Sequence, residues 1–211
     1  MSYLWKNQDA ANFKRLLSNL IENNGLDLED CNGYNFYFEC KTGGLRDWYK
    51  SISPNLHQTY FQEHPKAISV NEQFKQIYLL DQTKKYFLNG RNYTPVEIDS
   101  INFYTILNFC DSLKFLPTSF DFHWGTSGII GLVLLHNLKT AGEKNAEKRW
   151  NEILPYLIDA FKGGKFNDDF VRLYDSVMYE SYGFQYYGAL PNSPIKNLES
   201  LESRRTLIGL K

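Results

Sequence analysis

The segment from Gly128 to Leu138 constrains the fold most, because it is apolar on every side until two polar residues near its end. It reads Gly-Ile-Ile-Gly-Leu-Val-Leu-Leu-His-Asn-Leu, and a helix that is hydrophobic all round is normally a buried one. His136 and Asn137 therefore fall where water is scarce, and a buried imidazole needs a hydrogen-bond partner. The sequence thus predicts a polar site inside a helical core.

The composition is that of an ordinary globular protein. Of the 211 residues, 43% are hydrophobic and 22% are charged, and a chain of this length can fold without a metal or a disulfide. The formal net charge is −1 and the Lys and Arg residues form no run, so we expect no nucleic-acid partner. The three cysteines, at 31, 40 and 110, form no Cys-x-x-Cys pair, which argues against a disulfide framework and a zinc ribbon.

Hydropathy gives no sign of a membrane segment. The N-terminus lacks the apolar core of a signal peptide, and the apolar stretch 129–135 is far shorter than the roughly 20 residues that span a bilayer. We therefore expect a cytoplasmic protein without membrane contact.

Apolar periodicity predicts a mainly α fold over most of the chain. The spacing of apolar residues predicts helices over 9–22, 69–87, 94–113, 127–138 and about 150–161, then from Asn167 to Gly183 and briefly within 197–210. Ser69 with Glu72 and Thr94 with Glu97 have the spacing of capping boxes. Asn23-Asn24-Gly25 predicts the end of the first helix. Pro155 is expected to kink or divide the helix that contains it.

The N-terminal third shows a different pattern. Apolar and polar residues alternate from Tyr34 to Lys41, which predicts a strand. We therefore expect a small α+β elaboration over 1–68, with a short strand or hairpin near 34–62. Residues 69–211 are expected to form a helical domain that packs as one unit.

Acidic and amide residues fall on the apolar faces of these predicted helices. Asp81 continues the stripe of Phe74 and Ile77, and Gln82 follows it. Asp99 and Asn102 lie three residues apart on the next helix, and hence on one face. Each acid has a plain alternative reading, because Asp81 could lie at the edge of the stripe and Asp99 could serve the helix dipole.

A second set of polar residues follows toward the C-terminus. Asp175 borders an apolar helix face, and an aromatic and amide-rich loop from Gly183 to Ala189 contains Gln185 and Tyr187. Such a loop can line a pocket or simply cover the core. The pair Arg204-Arg205 could reach a carboxylate bidentately, to bind an anion or to fix the C-terminus, and Arg205 is the candidate site residue.

Other motifs point away from common chemistries. The glycines at 125, 128 and 131 near a helix start have no Lys after them and no strand before them, so they form no P-loop. The four histidines show none of the spacings of a zinc site. We therefore predict no metal and no cofactor.

Taken in order, these motifs resemble the bacterial family catalogued as domain of unknown function 6624. The resemblance covers about residues 70–211 and rests on Asp81-Gln82, Asp99 with Asn102, His136, Asp175, Gln185-Tyr186-Tyr187-Gly188, and Arg205 with Gly209-Leu210. This chain departs from the family pattern at Ser176, and at Lys84 or Lys85, where the family carries Arg; Lys lacks the bidentate geometry of Arg. The resemblance implies a shared site and no particular reaction.

Two functional hypotheses follow, and both assume that the distant polar residues converge on one partly buried pocket. In the first, His136 is the general acid or base of a hydrolase or group-transfer enzyme, and Asp81 or Asp175 orients it. The remaining polar residues are then expected to bind a small polar substrate: Gln82, Asp99, Asn102, Gln185, Tyr187 and Arg205. In the second, the chain is a non-catalytic binding or immunity-type module with a protein partner, and the polar residues form a structural core network. A purely structural network, without an apolar surface patch for a partner, is a third possibility.

Overall fold

The computed structural model describes residues 9–26, 28, 35–88, 90–118, 126–165 and 168–210. This part of the chain is mainly helical, as the sequence predicts. Its helices are α1 (Ala10–Asn24), α2 (Asn35–Lys41), α3 (Arg46–Glu63), α4 (Pro65–Thr83), α5 (Pro95–Leu113), α6 (Thr126–Thr140), α7 (Glu143–Lys162), α8 (Asp168–Tyr182) and α9 (Leu201–Leu207). A hairpin of two-residue strands, β1 (Phe87–Leu88) and β2 (Arg91–Asn92), lies between α4 and α5 in sequence.

The chain divides into two compact units. The first is Met1–Gln73 with Ser119–Thr126, and the second is Phe74–Thr118 with Ser127–Lys211. The division therefore falls inside α4. The predicted separation of 1–68 from 69–211 stays a prediction.

The first unit is built on the apolar face of α1. Asp9 caps its start by accepting a hydrogen bond from the Asn12 amide, and Gly25 ends it in the left-handed region, as the Asn-Asn-Gly signal predicts. Side chains from α1, α2 and the segments that follow them form the hydrophobic core of this unit: Phe13, Leu17, Ile21, Leu26, Leu28, Phe36, Tyr37, Cys40 and Leu45.

The predicted strand over 34–41 is wrong, because residues 35–41 form helix α2. Phe36, Tyr37 and Cys40 are buried while Phe38 is exposed. Buried positions at i, i+1 and i+4 follow the helical period, and the alternation arose from counting Tyr37 as polar. Tyr34 lies outside the described residues.

The predicted hairpin near 34–62 is also wrong, because helix α3 occupies residues 46–63. This helix continues through Pro54, and α7 likewise continues through Pro155, which therefore does not divide it. Helix α4 begins at Pro65 rather than at Ser69, because proline is favoured in the first helical turn. It ends at Thr83, before the hairpin.

The second unit confirms most of the predicted helices. Thr94 and Glu97 form the predicted capping box, and α5 then extends to Leu113. The described buried apolar side chains of α5 to α8 include Ile98, Phe103, Ile106, Cys110, Ile130, Val133, Leu134, Leu138, Trp150, Ile153, Leu157, Phe170, Tyr174 and Met178. The expected cap at Asn167 and the glycine at 125 lie outside the described residues.

Gly25 offers a test of the first unit. Its φ is +62°, and a Cβ at this position would stand 2.4 Å from Cε1 of Tyr60. We expect Gly25→Ala to lower the free energy of unfolding by about 2–4 kcal/mol, from left-handed strain and overpacking together. Denaturant unfolding measures this loss.

Gly90→Ala is the matched control, because Gly90 also has a positive φ, +77°, but a Cβ there meets nothing within 4 Å. It should show the backbone cost alone, about 1–2 kcal/mol. Equal losses for the two variants would contradict the contact between Gly25 and Tyr60.

Candidate functional site

Helices α4, α5 and α6 bring three of the predicted residues together in the second unit. Asp81 lies on the buried face of α4, one turn after Ile77, and its side chain is fully buried. Asp99 is buried in the second turn of α5, and His136 lies near the end of α6. As the sequence predicted, these residues lie in apolar surroundings. The carboxyl groups of Asp81 and Asp99 are buried there, and the imidazole of His136 is buried along one edge.

His136 is bound to Asp81 through one nitrogen of its ring. Nδ1 lies 2.9 Å from each of the two carboxylate oxygens of Asp81. The side chain of His136 is 37% exposed, whereas that of Asp81 is inaccessible. No hydrogen bond to Nε2 is found among the described residues. In the tautomer with a proton on Nδ1, the carboxylate orients the ring and leaves Nε2 with a lone pair.

Lys84 joins the two buried carboxylates. It follows Asp81 by three residues, and its Nζ lies 3.0 Å from Oδ1 of Asp81 while also donating to Oδ1 of Asp99. Burial lowers the pKa of Lys84, but its hydrogen bonds to Asp99 and Asp81 outweigh burial, so the pKa is raised overall. Lys84 is therefore a fixed cation at neutral pH.

Thr140 and Gln82 complete the bonding of the carboxylates. Thr140 lies one turn after His136 and donates from Oγ1 to Oδ2 of Asp99 at 2.9 Å. Gln82 donates from Nε2 to Oδ2 of Asp81 at 2.8 Å. The polar contacts thus form a ring that runs from α4 to α5 and α6 and back to α4.

Two buried amides support this ring through the backbone. Asn102 donates to the carbonyl of Ile77 at 3.2 Å, and Asn137 donates to the carbonyl of Asp99 at 2.9 Å. These bonds tie α5 to α4 and α6 to α5 next to the carboxylates. The Oδ1 atoms of both amides are buried without a partner among the described residues.

Asp175 belongs to a separate cluster. Its carboxylate accepts hydrogen bonds from the backbone amides of Tyr186, Tyr187 and Ala189, at 2.7 to 3.2 Å. The contacts found for Asp175 thus fix the loop after α8, and Asp81 is the carboxylate that contacts His136. The structure does not bring all nine predicted residues into one pocket.

Gln185 has the same loop-fixing contacts. Its side chain is buried, donates to the carbonyls of Leu190 and Ser193, and accepts from the Leu190 amide. Its backbone also pairs with the segment around Ile195. Every polar atom of this amide side chain is therefore used within the loop.

Tyr187 is directed into the core. Its hydroxyl accepts a hydrogen bond from Nε1 of Trp150 at 3.1 Å. Burial raises the pKa of Tyr187 to about 12, more than the bond from Trp150 lowers it. The side chain is buried, and its contacts here are with the protein itself.

Arg204, rather than Arg205, makes most of the contacts between the last helix and the loop. Its guanidinium donates to the carbonyls of Tyr186 and Lys196 at 3.0 and 2.7 Å, and to Oγ of Ser200 at 2.6 Å. Arg205 donates to the carbonyl of Tyr187 at 3.5 Å. Nothing in the sequence pattern distinguishes Arg204 from Arg205, so the contacts of Arg204 could not be predicted from it.

Sequence reasoning from helix faces missed Lys84 and Thr140 as members of the site. Lys84 is three residues from Asp81 and Thr140 is four residues from His136, so helical spacing was the available signal. Lys84 stands just beyond the end of α4, where the predicted helix had continued to residue 87. The early helix end is what turns Lys84 toward Asp99.

Comparisons of the chain with protein-family models, with curated proteins and with solved structures found no significant match. Within the described ranges, no cluster of three or more His, Cys, Asp and Glu side chains has the arrangement of a metal site. No described helix combines the length and the apolar character needed to cross a bilayer. The geometry of the site is therefore the basis for any statement about function.

Asp175 gives a test of the loop-fixing cluster. Asp175→Asn replaces one acceptor oxygen by a donor that faces backbone amides. We expect the free energy of unfolding to fall by about 3 kcal/mol, because hydrogen bonds to a buried charge are lost. Thermal and denaturant unfolding measure this change.

Asp111→Asn is its control, since Asp111 is exposed and accepts one hydrogen bond from Tyr156. We expect a loss of less than about 1 kcal/mol for this surface change. If the two variants were equally stable, the assignment of Asp175 as the loop anchor would be wrong.

Tyr174 gives a test of the opposite sign. Its ring stacks on Trp150 at 4.0 Å, and its buried hydroxyl has no hydrogen-bond partner among the described residues. We expect Tyr174→Phe to raise the free energy of unfolding by up to about 1 kcal/mol, since an unsatisfied polar group is removed. Tyr187→Phe should instead lower it, because the indole nitrogen of Trp150 loses its acceptor. A loss of stability in Tyr174→Phe would contradict the unpaired hydroxyl.

Proposed function

We propose that the chain is an enzyme in which His136 is a general base oriented by Asp81. The reaction class is hydrolysis or group transfer on a small polar substrate. The observation that carries the proposal is the contact of Nδ1 with both oxygens of a buried carboxylate, while the imidazole itself is 37% exposed. General bases of this kind need an orienting partner on one side and access for substrate on the other.

The chemistry of one cycle follows from the two nitrogens of the ring. Nε2 takes a proton from a water molecule or from a hydroxyl group of the acceptor, and the oxygen attacks the electrophilic centre of the substrate. The bond to the leaving group breaks, and Nε2 returns the proton to the departing atom. Asp81 accepts the hydrogen bond from Nδ1 and stabilises the imidazolium that forms during the cycle.

Lys84 is not the nucleophile in this proposal. Its amine would have to lose a proton to attack, and its hydrogen bonds to Asp99 and Asp81 raise its pKa. The proposal therefore uses water or a substrate hydroxyl as the attacking group. Asp99 accepts a hydrogen bond from Lys84, and Gln82 donates one to Asp81. Substrate binding by these two residues stays a proposal.

The alternative is a non-catalytic binding module with a protein partner. The amides of Asn102 and Asn137 favour it, because they connect helices through backbone carbonyls as a structural network does. That reading requires an imidazole sealed from solvent, and the exposed fraction of His136 favours the enzyme instead. The relationship to the domain of unknown function 6624 family is also a proposal, which rests on the motifs alone.

Replacement of His136 tests the proposed base. The wild type and His136→Gln are compared on a chromogenic panel of p-nitrophenyl acetate, p-nitrophenyl phosphate, bis-p-nitrophenyl phosphate and an acyl p-nitroanilide. We expect the variant to lose about 100-fold or more in rate on the substrate that the wild type hydrolyses. His64→Gln is the control and should keep the rate, because His64 contacts the carbonyl of Tyr60 instead of a carboxylate.

Chemical modification with diethyl pyrocarbonate tests the accessibility of His136 without a substrate. The reagent acylates accessible neutral imidazole nitrogens, so we expect His136 to be modified in the folded protein, as peptide mass spectrometry detects. An unmodified His136 in the folded wild type, or a panel rate that His136→Gln leaves unchanged, would overturn the proposal.

A further inference from the structure

We infer that Lys84 is the positioning residue of the Asp81–His136 pair: its ammonium group holds the Asp81 carboxylate against Nδ1 and sets how readily the imidazole takes up a proton. The inference rests on the proposed function for its catalytic meaning. Its geometry and its test stand independently of any substrate.

The first observation is that Lys84 and His136 share an acceptor. Oδ1 of Asp81 lies 3.0 Å from Nζ of Lys84 and 2.9 Å from Nδ1 of His136. A donor on the same oxygen withdraws charge that would otherwise act on the ring. The carboxylate therefore transmits the presence of Lys84 to His136.

The second observation is the conformation of the backbone at Lys84. Its φ is +48°, in the left-handed region, although most non-glycine residues avoid this region because of their Cβ. The Lys84 amide donates to the carbonyl of Leu80 at 3.0 Å, so the residue ends α4 in the way that a glycine usually does. A glycine there would relieve the strain but would supply no ammonium group.

The third observation is the second carboxylate that Lys84 binds. Asp99 receives Lys84 on Oδ1 and Thr140 on Oδ2. Nζ is thus anchored from α5 as well as from α4, and its side chain is only 29% exposed. An ammonium group fixed on two sides places its charge in one position relative to Asp81.

The charge balance of the cluster gives the direction of the effect. Asp81 and Asp99 are negative and Lys84 is positive, so the cluster carries one net negative charge while the imidazole is neutral. Among the described residues, these are the charged groups joined to the ring and its carboxylate by hydrogen bonds or ion pairs. Without Lys84 the cluster would carry two negative charges, and a proton on His136 would be more favourable. Lys84 therefore favours the neutral, basic form of the ring.

The test follows the protonation of His136 by ¹⁵N NMR of the imidazole nitrogens in the 211-residue chain. We expect Lys84→Met to move the midpoint of this titration upward by about half a pH unit or more, since a nearby positive charge is lost. Lys84→Arg keeps the charge and should restore the wild-type midpoint to within about a fifth of a unit. A merely structural lysine would not move the midpoint in this charge-dependent way.

Lys85→Met is the matched control. Lys85 is the next residue and carries the same charge, but its side chain is exposed. Solvent screens its charge, so the midpoint should move much less than in Lys84→Met. Equal shifts in the two variants, or no shift in a folded Lys84→Met, would overturn the inference.

Asp99→Asn keeps the test decisive if Lys84→Met does not fold. It removes one negative charge and leaves Asp81 as the one carboxylate for Lys84, so the midpoint should move downward. An upward shift or an unchanged midpoint would overturn the inference.

The titration needs no catalytic turnover, so its failure and that of the proposed function are distinguishable. If the protein is inactive but the titration midpoint shifts as expected, the proposed enzyme is wrong and the role of Lys84 stands. If the protein is active and depends on His136 but the midpoint does not shift, the role of Lys84 alone is wrong.

Discussion

Two carboxylates buried in one unit share a single ammonium group, and the arrangement of three helices depends on this contact. Each charge would be costly alone in an apolar interior, so the helices are stable together only when the partners meet. Lys84 holds Asp81 on α4 and Asp99 on α5, and Thr140 and His136 attach α6 to the same two acids. Apolar packing brings the helices together, and the polar ring links all three of them through hydrogen bonds and ion pairs.

The polar residues of the second unit fall into two groups according to their hydrogen-bond partners. His136 keeps one nitrogen on a carboxylate and one edge toward solvent, which is an arrangement suited to proton transfer. The hydrogen bonds of the Asp175 and Gln185 side chains are with backbone groups of the loop after α8. A buried polar residue therefore predicts a polar partner. The identity of that partner, a side chain or a backbone group, indicates whether the residue serves a candidate catalytic site or stabilises a loop.

The sequence predicted what depends on local pattern and missed what depends on contacts across the chain. The capping box at Thr94 and the glycine end of α1 involve neighbouring residues, and both were predicted. Residues 35–41 were misread because a half-polar Tyr37 fits a strand edge or a helix face equally well until packing decides. The burial of Asp81 and Asp99 was visible from helical spacing, but their common partner Lys84 lies beyond a helix end that sequence placed too late. The pairing of His136 with Asp81, across 55 residues, could be proposed but not distinguished from a pairing with Asp175.

The fixed loop after α8 has a consequence for local opening. Amides of three residues, Tyr186, Tyr187 and Ala189, depend on one acceptor, the carboxylate of Asp175. Release of that carboxylate frees all three amides together, so their protection against deuterium exchange is coupled. The segment is thus expected to open as one cooperative unit, with a single exchange free energy shared by amides that are not sequential partners in a helix or a sheet.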